Sequence, residues 1–152
     1  LLKAVINENL VGRFAQWNAQ FEAFEGSTPD MLRYCMRIWW ESVGSTKVAG
    51  ITKLMISEGK NFPELAAFYQ QEFVEPAHEL LRRVLRRGID RGEFAPVDVN
   101  LAIYTVLAPM VFLMLSQHSA CFGSDDTLDP QKYLEFQTET ILNGLVAKRS
   151  KA

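Results

Sequence analysis

Apolar residues recur at helical spacing along almost the whole chain, and no stretch shows sustained alternation with β-branched enrichment, so the pattern predicts an all-α fold. The first face comprises Ile6, Leu10, Phe14, Trp17, Phe21 and Phe24, at steps of 4, 4, 3, 4 and 3, one side of an amphipathic helix from Leu1 to about Phe24. The polar break EGSTPD follows, with Thr28 as N-cap and Pro29 as first residue of a second helix reaching about Val43. Ser45 or Thr46 caps a third helix that turns Val48, Ile51, Leu54 and Met55 inward and ends near Gly59, a residue tolerant of the left-handed C′ conformation. Pro63 opens a long helix to about Arg91, with Leu65, Tyr69, Phe73, Ala77, Leu80, Leu81 and Val84 on its inner face. Pro76 inside it lacks an N–H and crowds the Glu72 carbonyl, which predicts a kink. Asp98 caps a fifth helix from Val99 to about Ala120, the polar segment CFGSDDTLD follows, and Asp129-Pro130 opens a sixth lasting to about Ala147. The expectation is one domain, a bundle of about six helices.

The fifth helix is apolar almost all round, which demands cover on two sides. Ile103, Leu107, Met110 and Met114 form one stripe; Ala102, Thr105, Pro109, Phe112 and Ser116 form another. In the sixth helix Leu134, Ile141 and Leu145 lie on one side, with Tyr133, Gln137, Thr140 and Gly144 beside them, where small residues permit close approach. One stripe of each helix can face the core and the other a second subunit, giving a self-complementary four-helix homodimer interface. The alternative is a central helix buried inside one protomer.

Five arginines, at 82, 83, 86, 87 and 91, crowd the end of the long helix and raise the question of nucleic acid. Leu80, Leu81, Val84 and Leu85 fall on the other side, and Glu75, Glu79, Asp90 and Glu93 set four negative charges against the five positive. With a formal net charge of -2 and no reading element or stacking aromatics on this segment, the stripe reads as a solvated helix face. The composition, 48% hydrophobic and 22% charged over 152 residues, is that of an ordinary globular domain large enough to bury its own core. The two cysteines, Cys35 and Cys121, are too few for a disulfide framework and suit a reducing cytoplasm. The longest apolar run, Leu101 to Leu115, has 15 residues, short of the roughly 20 a bilayer span needs, so no membrane partner is expected.

Candidate chemistry is thin. Glu75 and His78 make half of a di-iron carboxylate motif, but His118, the other histidine, has Leu115 three positions before it. His118 and Cys121 could supply two zinc ligands where a structural site wants four. The acids of GSDDTLDP lack the glycine and glutamate spacing of a calcium loop. No phosphate-binding glycine loop or nucleophile elbow is present. The sequence therefore predicts no catalytic residues, no metal and no cofactor.

The early helices are instead rich in aromatic residues. Phe14, Trp17, Phe21 and Trp39, with Met55, Tyr69, Phe73 and Tyr104 as neighbours, are candidates to line an apolar ligand cavity between helices. Trp40 belongs to the same aromatic group, and all of these side chains could equally be plain core.

Residues 57 to 102, SEGKNFPELAAFYQQEFVEPAHELLRRVLRRGIDRGEFAPVDVNLA, resemble the C-terminal regulatory domain of TetR/AcrR-type bacterial transcriptional regulators. The likeness rests on Phe62 to Leu65 at a helix junction, Pro76 in the long helix, Arg87 to Phe94 at its end, the Asp98 cap, and the apolar Leu101 to Leu115 with Pro109. The opening LLKAVINENL resembles the helix that leaves the family's DNA-binding head, so a helix-turn-helix domain absent from this chain is expected to precede it. The resemblance implies a non-enzymatic domain that dimerises through its last two helices, binds a small, largely apolar effector, and reaches operator DNA only through the missing head. A helical dimerisation or interaction module without a ligand is the alternative.

Overall fold

The computed structural model describes residues 1–117 and 128–147. Among these the chain forms α1 (Leu2–Asn9), α2 (Phe14–Glu22), α3 (Thr28–Trp39), α4 (Ala49–Glu58), α5 (Pro63–Tyr69), α6 (Glu75–Asp90), α7 (Val99–Gln117) and α8 (Pro130–Leu145). A 3₁₀ turn, Val11–Arg13, joins α1 to α2, and π-helical turns, Trp40–Gly44 and Gln70–Val74, extend α3 and join α5 to α6. The all-α fold is therefore present, and the six sequence-read helices become eight because two are interrupted.

Each interruption has a local cause. At Leu10 the backbone leaves the helical region (φ -120°), the Asn9 amide folds back onto the Val5 carbonyl at 2.8 Å, and Gly12 offers little helical preference. Ile6, Leu10, Phe14 and Trp17 nonetheless stay buried along one continuous face. In the long helix, the π turn Gln70–Val74 stands directly before Pro76, which sits in the first turn of α6 where a missing N–H is least costly. The helix accommodates its proline by widening one turn ahead of it.

Several boundaries differ from the sequence reading. Ser27, not Thr28, caps α3, its hydroxyl accepting from the Asp30 N–H at 3.3 Å. Ser45 and Thr46 send their hydroxyls back to the Trp40 and Val43 carbonyls at 2.8 Å each, so neither caps α4, which begins at Ala49. Leu54, expected inward, is exposed, whereas Met55 is buried. Gly59 keeps a right-handed φ of -57° and never uses the left-handed conformation expected of it. The Asp98 and Asp129 caps form as read, each carboxylate accepting two backbone N–H groups of the following turn. The end assigned to α7 at Ala120, and His118, Cys121 and most of the CFGSDDTLD segment, lie outside the described residues.

The turn after α6 locks three parts of the chain together. Gly92 adopts φ +72°, and the Glu93 and Phe94 N–H groups both reach back to the Gly88 carbonyl, at 2.8 and 3.0 Å. The Phe94 ring, fully buried, lies flat against Gly88, where a side chain would overlap it. Ala95 N–H then donates to the Leu145 carbonyl at 2.7 Å, tying the turn to the end of α8 through an isolated antiparallel bridge. Glu93 also accepts from the Thr28 N–H and hydroxyl, both at 2.8 Å, while Arg87 donates to Thr28 Oγ1 at 2.6 Å and to the Gly26 carbonyl at 2.8 Å. Thr28 is wholly buried, so this network satisfies polar groups that water cannot reach.

Two apolar clusters result. One joins α3, α6, α7 and α8 around Leu32, Met36, Leu85, Ile103, Leu113 and Leu142; the other joins α1, α2 and the α4–α6 region around Ile6, Leu10, Phe14, Tyr69 and Phe73. Helix α7 runs 19 residues with mean hydropathy 1.9, long and apolar enough by length and composition to cross a membrane, which the 15-residue run had not suggested. Its contacts with α6, α8 and the Trp40–Gly44 turn place it in the packing of this bundle instead.

Gly88→Ala is expected to cost about 1–3 kcal/mol by overpacking against Phe94, read as a lower urea midpoint with an unchanged slope. Burial alone would raise the Glu93 carboxyl, but the two Thr28 hydrogen bonds and the nearby Arg91 and Arg87 outweigh it and hold it below its ordinary value. The stability it contributes is therefore present above the unfolded carboxylate's value and is lost as pH falls through the folded one. Glu93→Gln should flatten the acid limb of the stability profile, measured by urea unfolding across the acidic range.

Candidate functional site

The two apolar clusters do not merge everywhere, and a cavity of about 270 Å³ occupies the seam between them. Phe14, Trp17 and Phe21 of α2 form one wall, Tyr69 and Phe73 of the long helix a second, and Trp39 near the end of α3 a third. These are six of the eight residues named as cavity candidates from sequence. Met55 is buried in the second cluster but does not line the cavity. Tyr104 lies on the far side of α7, 57% exposed, and meets the cavity only indirectly, its ring edge-on to His78 at 5.4 Å.

Aromatic contacts stiffen these walls. Phe14 packs edge-on to Trp17 at 5.2 Å and tilted to Phe73 at 5.7 Å, and Tyr69 stands 5.2 Å from Phe73. The remaining wall is aliphatic and includes Leu107, Met110, Val111 and Met114 of α7, with the exposed Ile56 of α4 at the rim. Methionine's flexible thioether lets such a wall adapt to different shapes. Trp40 does not take part; it is buried in the first cluster.

Polar groups in the lining are few, and none of its residues is Asp, Glu, Lys or Arg. Thr52 and Tyr69 share a hydrogen bond of 2.6 Å between their hydroxyls. Burial pushes the Tyr69 phenol up to about 12, against the opposing effect of Thr52, and pushes the Cys35 thiol up to about 12 as well. Cys35 is thus a protonated apolar surface rather than a nucleophile. His78 is held below its usual value chiefly by burial, with Arg82 acting in the same direction and Glu75 against it, so its imidazole is neutral at neutral pH.

Sequence reasoning passed over His78, Thr52, Cys35 and the α7 residues. A signal existed for His78: Val74, Ala77, His78 and Leu81 stand at i, i+3, i+4 and i+7, one apolar face with the histidine inside it. Among the described residues no group of three or more His, Cys, Asp or Glu could hold a metal ion.

The outer face of α7 is a separate feature. Leu101, Tyr104, Thr105, Ala108 and Phe112 are all exposed along it, Leu101 to 68%. Of the stripe read from sequence, Thr105 and Phe112 are exposed, while Ala102, Pro109 and Ser116 are half-buried. On α8 Thr140 and Gly144 are exposed and Tyr133 is half-buried, its ring edge-on to Phe112 at 6.2 Å, so the two outer faces are continuous. Gln137 differs: α8 is rotated so that it points inward, 5% exposed, with its amide donating to Thr138 Oγ1 at 3.1 Å. Phe136, absent from the sequence reading, takes the outward place at 71% exposure. None of these exposed side chains is charged.

The five arginines have partners within the chain. Arg82 reaches Asn100, Arg83 reaches Asn18 and Glu22, Arg86 lies 3.9 Å from Glu79, and Arg87 and Arg91 both donate to the Gly26 carbonyl. The stripe is occupied with holding α6 to α2, α7 and the turn before α3.

Comparison with known proteins adds one finding. Residues 25–125 match the family described as tetracyclin repressor-like, C-terminal domain. The chain belongs to that family. No curated protein and no solved structure matches it. The match spans α3 to α7 of this tetracyclin repressor-like domain, and with them the Gly88–Phe94 turn and the α7 wall of the cavity. The α2 wall and α8 fall outside the matched residues. The family is one of transcriptional regulators rather than enzymes, and this chain is the regulatory, C-terminal kind of domain within it.

Removing the Thr52 hydroxyl should leave the buried Tyr69 phenol short of a partner, at a cost of about 1–3 kcal/mol. In a double-mutant cycle by urea unfolding, Thr52→Val together with Tyr69→Phe should be less destabilising than the sum of the two single changes.

Proposed function

We propose that this tetracyclin repressor-like domain senses a small, largely apolar effector in the cavity between its two clusters. It dimerises through the outer faces of α7 and α8, and controls DNA binding by a helix-turn-helix head that these 152 residues do not include. The observation that carries the sensing role is the cavity itself. The space of about 270 Å³ opens past the exposed Ile56, so a small molecule can reach its aromatic and aliphatic lining from outside. A void that size, walled by rigid aromatic pairs, fits a binding site better than a packing defect, and it approaches the lower end of the roughly 300–1,000 Å³ range of ligand pockets.

The dimer rests on the exposed face of α7, which carries no charge, and on the adjoining face of α8, where Phe136 stands exposed between Lys132 and Glu139. Pairing these faces about a two-fold axis would remove Leu101, Phe112 and Phe136 from water. A reducing cytoplasm suits the free, buried Cys35.

The link between sensing and DNA lies in α2. Its Phe14, Trp17 and Phe21 form a cavity wall, and α1 continues from it toward the chain start. An effector that packs better against one orientation of α2 favours that orientation, and so favours one spacing of the paired heads over another.

Two measurements test the proposal. N-phenyl-1-naphthylamine, a neutral apolar fluorophore, should brighten on binding the wild-type domain, and Ala77→Trp, which fills the cavity, should abolish the signal while the domain stays folded. Sedimentation should show a dimer at micromolar concentration, and Phe112→Glu with Phe136→Glu should give a monomer. A wild-type monomer under these conditions would reject the interface.

A further inference from the structure

The lining of the effector cavity is largely apolar, with His78, the Thr52–Tyr69 hydroxyl pair and the Cys35 thiol as its polar groups, and the surroundings of the His78 ring bear on what it can bind. His78 is 8% exposed, on the stretch of α6 that follows the π turn. Tyr104 of α7 stands edge-on to its ring at 5.4 Å and fixes the plane of the imidazole. The charges that act on it, Glu75 and Arg82, are on its own helix, and among the described residues no hydrogen-bond partner holds either ring nitrogen. The His78 ring stands in the cavity lining, and its nitrogens are not among the fully buried polar atoms that lack a partner, so the imidazole can still hydrogen-bond a molecule that enters the cavity.

The other polar groups in the lining are already occupied or weak. Thr52 and Tyr69 satisfy one another at 2.6 Å, and Cys35 is a protonated thiol. No lining side chain carries a full positive charge that could neutralise an anion, or a negative one that could hold a cation.

We propose that the cavity recognises an uncharged ring compound bearing a single hydroxyl group, and that His78 is the residue that accepts from or donates to that hydroxyl. The inference rests on the reading of this cavity as the effector site and narrows the class of effector. A neutral imidazole carries one donor and one acceptor nitrogen, and a hydroxyl can be either, so the pair is satisfied whichever nitrogen faces the cavity. The flat walls built by Phe14, Trp17 and Phe73 suit a planar ring. An anionic carboxylate would enter with its charge unpaired and is excluded by the desolvation it cannot recover.

The test compares three probes of nearly equal size, naphthalene, 2-naphthol and 2-naphthoate, by equilibrium dialysis against the wild-type domain near neutral pH. The expected order is 2-naphthol tightest, about five- to tenfold above naphthalene, as one neutral hydrogen bond supplies, with 2-naphthoate weakest. In His78→Phe, where the hydroxyl has no partner, the preference for 2-naphthol over naphthalene should disappear or reverse; His78→Gln, which restores a hydrogen-bonding group, should recover part of it. The wild-type order needs no variant to be read. Naphthalene binding without a preference for 2-naphthol, naphthoate binding as tightly as either, or a preference that survives in His78→Phe and vanishes in Thr52→Val would each overturn the role of His78 while leaving the cavity an effector site. If none of the three probes binds, the effector reading falls and this inference with it.

Discussion

Helix α7 has no polar side to turn toward water. From Val99 to Gln117 it contains no charged residue, so every direction around its axis calls for a non-aqueous neighbour. Three directions are served differently. Ile103, Val106, Met110 and Leu113 enter the first core cluster; Leu107, Val111 and Met114 form a cavity wall; Leu101, Tyr104, Thr105, Ala108 and Phe112 lie on the exposed side. A single helix thereby belongs to the fold, to the candidate binding site and to the candidate interface. Side chains that leave this one rod of helix at successive angles place the cavity wall and the exposed face on the same element.

The rod is held in place by chemistry far from the cavity. Glu93, Thr28 and Arg87 form a hydrogen-bonded knot that joins the end of α6 to the start of α3, and the Phe94 ring on Gly88 carries the chain from α6 toward α7 past the end of α8. Fixing these helices at one end, while the second cluster of α1, α2 and α4 packs separately, leaves the seam between them open. The cavity follows from two cores that are each well packed and joined along a boundary that is not. Exposed pairs such as Arg33 with Glu139, at 2.6 Å, add orientation between α3 and α8 more than stability.

Much of the helical architecture was readable from spacing alone. The inner face of the long helix, from Tyr69 through Val84, is buried nearly as its periodicity requires, and the Asp98 and Asp129 caps form where an acid precedes an apolar run. The misplaced residues share a different feature. Thr28 looks like an N-cap, yet its hydroxyl is engaged by Glu93, 65 positions away, so Ser27 takes the cap. Gln137 looks like a surface residue beside Tyr133, yet the rotation of α8 against α3 and α7 turns it inward and puts Phe136 outside. A helical wheel orders residues around an axis but does not say how that axis is turned relative to its neighbours.

The same distinction separates the two kinds of information in this protein. Local propensity and apolar period determined that the chain is all helix, that α7 needs cover on more than one side, and that aromatic residues gather along α2 and the long helix. These properties depend on residues within a turn or two of each other, where sequence distance and spatial distance agree. That Phe14, Trp39 and Met110 enclose one space, that His78 stands on its wall, and that Tyr104 faces away from it were decided only by tertiary packing. A cavity is what several helices fail to fill together, so its existence depends on the summed volumes and rotations of all of them, quantities that no single stretch of sequence contains.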